Sequence, residues 1–204
     1  MGSKPVEKND ASSALPRSPE LMNREDSALL VVDAQEKLLE VVPGGKRIVW
    51  NIRRLLDAAA ALGVPIAATE QYPDRLSPTV PELKERIGTA PDKLCFSACV
   101  CGEIFERWKS DNRYRVLVCG IETHVCILQT ALDLVAAGFE TYVAVDAVGA
   151  RNAVDHETAL RRMESAGVIL TTTETAMFEW CRTSEAPEFK TISALAKEKS
   201  PSDS

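Results

Sequence analysis

Short apolar runs rich in β-branched residues alternate with longer stretches of helical periodicity along this chain. "SALLVVD" (27–33), "VPIAAT" (64–69), "YRVLVCG" (114–120), "ETYVAVDAV" (140–148) and "VILTTT" (168–173) read as strands, and a short strand is expected at 93–96. "GKRIVWNIRRLLDAAAALG" (45–63) reads as a helix closed by Gly63. "CGEIFERWKSD" (101–111), the stretch from Thr123 to about Ala137 and "DHETALRRMESAG" (155–167) read the same way, with a last helix or two at 174–182 and 188–198. A Pro-studded loop, "EQYPDRLSPTVPEL", follows the second strand.

Strands that alternate with helices point to parallel pairing through crossover helices. All the strands but the short one are continuous apolar runs rather than alternating ones, the pattern of a sheet buried on both faces. The expected fold is therefore α/β: a three-layer α/β/α sandwich with a six-stranded, mainly parallel sheet in the order 3-2-1-4-5-6. In such sheets reactive groups collect beyond the carboxyl ends of the strands, where the strand order reverses.

The length of 204 residues suits one well-buried core. With no internal repeat and no linker, a single domain is expected over 27–198, between a flexible tail at 1–26 and a polar tail at 199–204. The net charge is −6, from 24 basic and 30 acidic side chains, and no Lys/Arg cluster stands out. A nucleic-acid or membrane-surface partner has no electrostatic footprint here, and the apolar runs are too short to span a bilayer. The first 26 residues lack an apolar signal core, and "MGSKPV" has Val6 where a myristoylation site wants Ser or Thr. A cytoplasmic location with reduced cysteines is the expectation. Cys95, Cys99 and Cys101 have C-x3-C-x-C spacing without the paired units of a structural zinc site and without a nearby histidine, so they read as small buried side chains.

Three chemically capable residues fall at strand ends: Asp33 after the first, Lys93 at or beside the third, and Cys126 just past the fourth, in the first turn of a helix. Each has an ordinary reading alone. An Asp ending a strand often forms a turn, a lone Lys is usually solvated, and a Cys in an apolar helix is usually filler. In the 3-2-1-4-5-6 order, all three converge on one edge. No cofactor is implied: "DAQEKL" stands where a dinucleotide fold wants G-x-G-x-x-G, and no Walker sequence occurs. His124 and His156 are the only histidines, too few for a catalytic metal cluster. His124 is two residues from Cys126 and points to another face, so it reads as a pocket wall or surface residue rather than a base.

"LLVVDAQEKLL", "TEQYPDRLSPTVPEL", "DKLCFSA" and "VLVCGIETHVCILQTALDLVAAG" resemble, in order and spacing, blocks of the isochorismatase-like cysteine hydrolases, in particular the isochorismatase-domain-containing subgroup. The resemblance covers roughly residues 27–182. It implies an Asp–Lys–Cys triad at Asp33, Lys93 and Cys126. It also implies a cis peptide between Ile121 and Glu122, with the N–H groups of Glu122 and Cys126 turned toward a developing oxyanion. The nicotinamidase branch of the family carries an Asp/His metal site near the second strand. "TEQYPDRL" has no histidine, so neither that metal nor that activity is expected. The family's homo-oligomers imply a dimer or larger.

The mechanism so implied is nucleophilic attack by Cys126 on an amide, ester or related bond of a small molecule, with Asp33 taking and returning the proton. Reference pKa values leave a gap of roughly 4.6 units between the two groups, or about 6 kcal/mol. Burial of Asp33, with Lys93 and the helix N-terminus acting on Cys126, is expected to narrow it, as far as a shared proton or a thiolate beside a neutral acid. Gln35, Glu70, Tyr72 and Phe96 are candidates for the substrate pocket: Gln35 shares a side of the extended chain with Asp33, and the two rings offer flat apolar walls. Two competing readings are a redox-sensitive thiol at Cys126 without hydrolytic output and an inactive interaction scaffold.

Overall fold

The computed structural model describes residues 15–201. Six strands form one sheet: β1 (Ser27–Val32), β2 (Ile66–Gln71), β3 (Asp92–Lys93), β4 (Arg115–Ile121), β5 (Glu140–Gly149) and β6 (Ile169–Thr171). Their order is β3-β2-β1-β4-β5-β6 and every pairing is parallel. The expected strand order is therefore observed, with the third strand cut to two residues. From β1 the chain first builds outward to β2 and β3, then returns to lay β4 on the other side of β1. The carboxyl ends of β1 and β4 thus flank the switch point, the place where parallel sheets open a crevice.

Among the described residues, the helices are α1 (Glu36–Leu39), α2 (Gly45–Leu62), α3 (Pro73–Leu76), α4 (Pro81–Ile87), α5 (Gly102–Ser110), α6 (Leu128–Ala136), α7 (Ala153–Ser165), α8 (Thr173–Cys181) and α9 (Phe189–Ala196). A 3-10 turn covers Ala98–Val100 and a π-helix covers Thr123–Ile127. β1 shows how the layers form. Leu29 and Val31 face a core with Leu55 and Leu56 of α2 and Met177 and Trp180 of α8. Leu30 and Val32 face the opposite core, with Phe105 and Trp108 of α5, Leu134 of α6 and Met163 of α7. Period-two alternation sends successive side chains to opposite layers, and each fully buried large apolar side chain contributes about 1.5–3 kcal/mol.

Several elements differ from the sequence reading. The short helix α1 is an addition, and α3 lies within the expected loop at 70–83. α4 begins in the last three residues of that loop and runs to Ile87, because its opening residue, Pro81, is a helix starter at that position rather than a breaker. The single helix expected from Thr123 is a π-helical turn followed by α6.

The stretch expected as a flexible tail lies partly outside the described residues, up to position 14. Of the rest, residues 17–22 are fastened to the sheet and α8. Met22 is fully buried and its N–H donates to Glu179 Oε2, Arg17 donates to the Glu179 carbonyl, and the carbonyls of Pro19 and Glu20 accept from Arg115 and Tyr142.

At the switch point the two central strands come unusually close. Gly120 has φ +124°, and a Cβ there would lie 1.9 Å from the Val32 carbonyl oxygen, with other Val32 backbone atoms under 3 Å. Backbone atoms cannot yield as a side chain would, so only glycine fits. Gly120→Ala is expected to destabilise the fold by about 3 kcal/mol or more in urea unfolding; a change within error would mean that β1 and β4 are not held this tightly.

Candidate active site

β1 ends by turning. Asp33 has φ +53°, a left-handed conformation that Asp tolerates better than most residues. Its N–H donates to the Thr69 carbonyl at 3.1 Å, and its carbonyl accepts from Gln35 N–H at 2.7 Å. The carboxylate is fully buried and held at both oxygens: Thr69 Oγ1 donates to Oδ1 at 2.8 Å and Lys93 Nζ to Oδ2 at 2.6 Å. The Lys93 amine is equally withdrawn from solvent. Besides Asp33, Nζ has three acceptors: Gln71 Oε1 (2.7 Å) and the carbonyls of Phe96 (2.9 Å) and Cys95 (3.2 Å). Gln71 sits directly opposite Lys93 in the β2–β3 register, which is why its amide reaches the amine.

From the other side of β1, the π-helix after β4 brings in Cys126. Its thiol is buried and electrostatically coupled to the Asp33 carboxyl and the Lys93 amine. The Ile121–Glu122 peptide is cis. Two of the three residues singled out at strand ends, Asp33 and Lys93, therefore touch although 60 positions separate them, and the Cys126 thiol is coupled electrostatically to both.

The pocket candidates have different surroundings. Gln35 is fully buried: its Nε2 donates to the carbonyls of Gln71 (3.0 Å) and Ser77 (2.6 Å), and its Oε1 accepts from Gln71 N–H (2.7 Å). Glu70 Oε1 accepts from the N–H and hydroxyl of Thr79, at 2.8 and 2.7 Å. These two side chains fasten the 71–80 loop instead of presenting free polar groups. Tyr72 and Phe96, whose backbones lie beside Lys93, have exposed side chains, as do Leu94 and Val100 in the same stretch of chain. Thr69, Arg151 and His156 belong to the site's surroundings and went unnoticed in the sequence. Arg151 Nε donates to Glu122 Oε1 at 2.9 Å, and Thr123 Oγ1 lies 2.9 Å from His156 Nδ1. His124 is half-buried, its Nε2 4.0 Å from Asp155 Oδ2. Among the described residues, no group of three or more His, Cys, Asp or Glu side chains is arranged to hold a metal, and all six cysteines are free; contrary to the buried positions expected, Cys95 is exposed and Cys99 and Cys101 are half-buried.

Burial dominates the electrostatics of both Asp33 and Cys126. Burial pushes the Asp33 carboxyl above its usual range, outweighing the pull of Lys93, Cys126 and Thr69. Burial, then the Asp33 charge, pushes the Cys126 thiol far above its usual value, while Lys93 and the Glu122 amide draw it down only in part. Depth in the protein opposes the anionic sulfur more than the lysine favours it. A redox-sensing thiol wants the reverse, a low pKa and open access.

Burial also holds the His156 imidazole below its ordinary 6.5, against a weaker opposing pull from Glu157. The unfolded chain then binds the proton more readily than the folded one, so the associated stability is complete above pH 6.5 and declines as pH falls below it. The melting temperature is expected to drop more between about pH 7.5 and 5.5 in the wild type than in His156→Gln. Equal drops would show that His156 is not held neutral.

Residues 27–175 match the family model described as the isochorismatase domain. Mouse isochorismatase domain-containing protein 2A is 41% identical over 179 residues, covering 87% of this chain and 85% of that protein. The MAR1 ribonuclease structure from Caenorhabditis elegans superposes with a TM-score of 0.82 at 39% identity, covering 90% of this chain and 95% of that one. The YcaC structure from Escherichia coli, described as an octameric hydrolase of unknown specificity, gives a TM-score of 0.80 at 26% identity, covering 88% and 91%. By sequence and by fold, this chain belongs to the isochorismatase family.

Proposed function

We propose that this protein is a cysteine hydrolase that cleaves an amide, ester or related bond of a small molecule through a covalent thioester, with Cys126 as nucleophile, Asp33 as acid and base and Lys93 as the group that orients Asp33. The observation that carries this reading is the 2.6 Å contact between Lys93 Nζ and Asp33 Oδ2, with both side chains fully withdrawn from solvent beside the Cys126 thiol. A buried ion pair is weak evidence for stability. A buried ion pair with one face on a thiol is well suited to moving a proton.

On attack, the Cys126 proton passes to Asp33 as the sulfur–carbon bond forms, and the carbonyl oxygen gains the negative charge. The N–H groups of Glu122 and Cys126 receive that charge. Collapse breaks the bond to the amine or alcohol, which leaves with the proton from Asp33. A water molecule then gives its proton to Asp33 and attacks the thioester, releasing the acid and restoring the thiol. The raised carboxyl of Asp33 makes it a better base for this task than an exposed aspartate. Lys93 keeps the acid oriented through both steps. The apolar rim of Tyr72, Leu94, Phe96 and Val100 supports a small, uncharged, flat substrate over a polyanion.

That rim also supports a homo-oligomer in which a neighbouring copy covers it, and the six free thiols fit a reducing compartment such as the cytoplasm. Light scattering should return a dimer or larger; a monomer at micromolar concentration would oppose the oligomer. The catalytic reading is tested by incubating the protein with a panel of small amides and esters and analysing quenched samples by mass spectrometry. An acyl adduct on Cys126 is expected, with turnover lost in Cys126→Ala and reduced about a hundredfold or more in Asp33→Asn and Lys93→Ala. Turnover that survives Cys126→Ala would rule the nucleophile out.

A further inference from the structure

The turn that carries Cys126 is gripped from outside at three successive residues by the segment that opens α7. Arg151 holds Glu122, His156 holds Thr123, and Asp155 faces His124. The first grip is the most direct. Glu122 Oε1 accepts from both the side chain and the backbone of Arg151, at 2.9 and 3.3 Å. The Glu122 side chain is only 8% exposed, whereas that of Arg151 is 56% exposed. Exposed ion pairs usually contribute little, but a carboxylate this deeply set is strongly perturbed when its one cationic partner is removed.

Glu122 is also where the backbone meets the nucleophile. Its carbonyl accepts from Val125 and Ile127 at 3.1 and 3.2 Å, which starts the π-helical turn that carries Cys126. Its side chain is thus a handle on that turn, and Arg151, just beyond the paired end of β5, grasps that handle. Gly149 is the last residue of β5 paired with β4, opposite Ile121, so the Arg151–Glu122 contact extends the strand pairing past the end of the sheet.

We infer that Arg151 is a positioning residue for the nucleophile: by clamping the Glu122 carboxylate it fixes the start of the π-helical turn and so holds Cys126 in place beside Asp33 and Lys93. This deepens the cysteine-hydrolase reading and rests on it for its catalytic meaning, but the geometry it concerns is independent of any substrate. Removing the clamp lets the turn shift, and the thiol then loses its setting beside the acid and the amine and reacts less readily.

The test is the pH profile of Cys126 alkylation by iodoacetamide, an uncharged probe, read by peptide mass mapping so that the exposed Cys95 does not interfere. Thermal unfolding is measured in parallel. Arg151→Ala and Glu122→Gln are each expected to shift the profile to higher pH and to slow alkylation at neutral pH by about tenfold, the scale of one hydrogen bond to an ionised group. The double variant is expected to be no slower than either single one, because both remove the same interaction. Arg151→Lys is expected to recover part of the rate, since an amine still reaches the carboxylate. An unchanged profile in Arg151→Ala, a lowered melting temperature with no shift in profile, or single effects that multiply in the double variant would overturn the inference. If Arg151→Ala does not fold, Glu122→Gln and Arg151→Lys decide it by the same profile. Failure of the hydrolase reading is separately visible, as alkylation that ignores Asp33→Asn while the Arg151 effect persists.

Discussion

Taking an ammonium and a carboxylate out of water costs several kcal/mol per ion, and contact between them repays that only with good geometry and further hydrogen bonds. At Lys93 and Asp33 the further bonds are present: three more acceptors for the amine and the Thr69 hydroxyl for the acid. Much of the carboxyl edge can be read as what this arrangement requires. β3 is short, yet it must pair with β2 so that Gln71 stands opposite Lys93. The chain after Lys93 must curl so that the carbonyls of Cys95 and Phe96 return to its amine. Gln35 and Glu70 hold the 71–80 loop in place around it. The pair is therefore the fixed reference against which the thiol is set.

On the opposite side of β1, the fold uses close backbone approach instead of charge. Gly120 lets β4 lie against Val32, and Cys126 follows six residues later on a π-helical turn. Such turns occur mostly as short insertions and often at functional sites. The start of α7 then grips this turn at Glu122 and Thr123. The acid and amine are carried by β1 and β3, the thiol by β4, and the clamp on its turn by the connection after β5. The site is assembled across the sheet rather than within one element.

How much of this was legible in the sequence follows from what each feature depends on. Layering came from apolar runs such as "SALLVVD" and "YRVLVCG", because burial on both faces leaves a direct mark on composition, whereas the strand order was taken from the common doubly wound pattern rather than from the runs. α4 was hidden because Pro81 reads as a breaker unless its place in the helix is known. Asp33, Lys93 and Cys126 could be picked out as chemically capable groups at strand ends, and a family resemblance sharpened the choice. Thr69, Arg151 and His156 could not, since a contact between two elements has no periodic signature in either. Gln35 looked like a pocket residue from its spacing, while the structure engages its amide with loop backbone. The burial of Cys126 was illegible for a similar reason: a place near a helix start argues for a thiolate, while the depth of burial, which sequence does not report, pushes the other way.

In the proposed reaction a neutral thiol faces an ionised, lysine-bound carboxylate, and the proton crosses only when an electrophile arrives. Infrared difference spectroscopy between wild type and Cys126→Ser at neutral pH measures this directly. A sulfhydryl stretching band assigned to Cys126, without a protonated-carboxyl band that disappears in Asp33→Asn, is the predicted result. Absence of the sulfhydryl band at neutral pH would mean that the proton has already left the sulfur, and the charge arrangement described here would be contradicted.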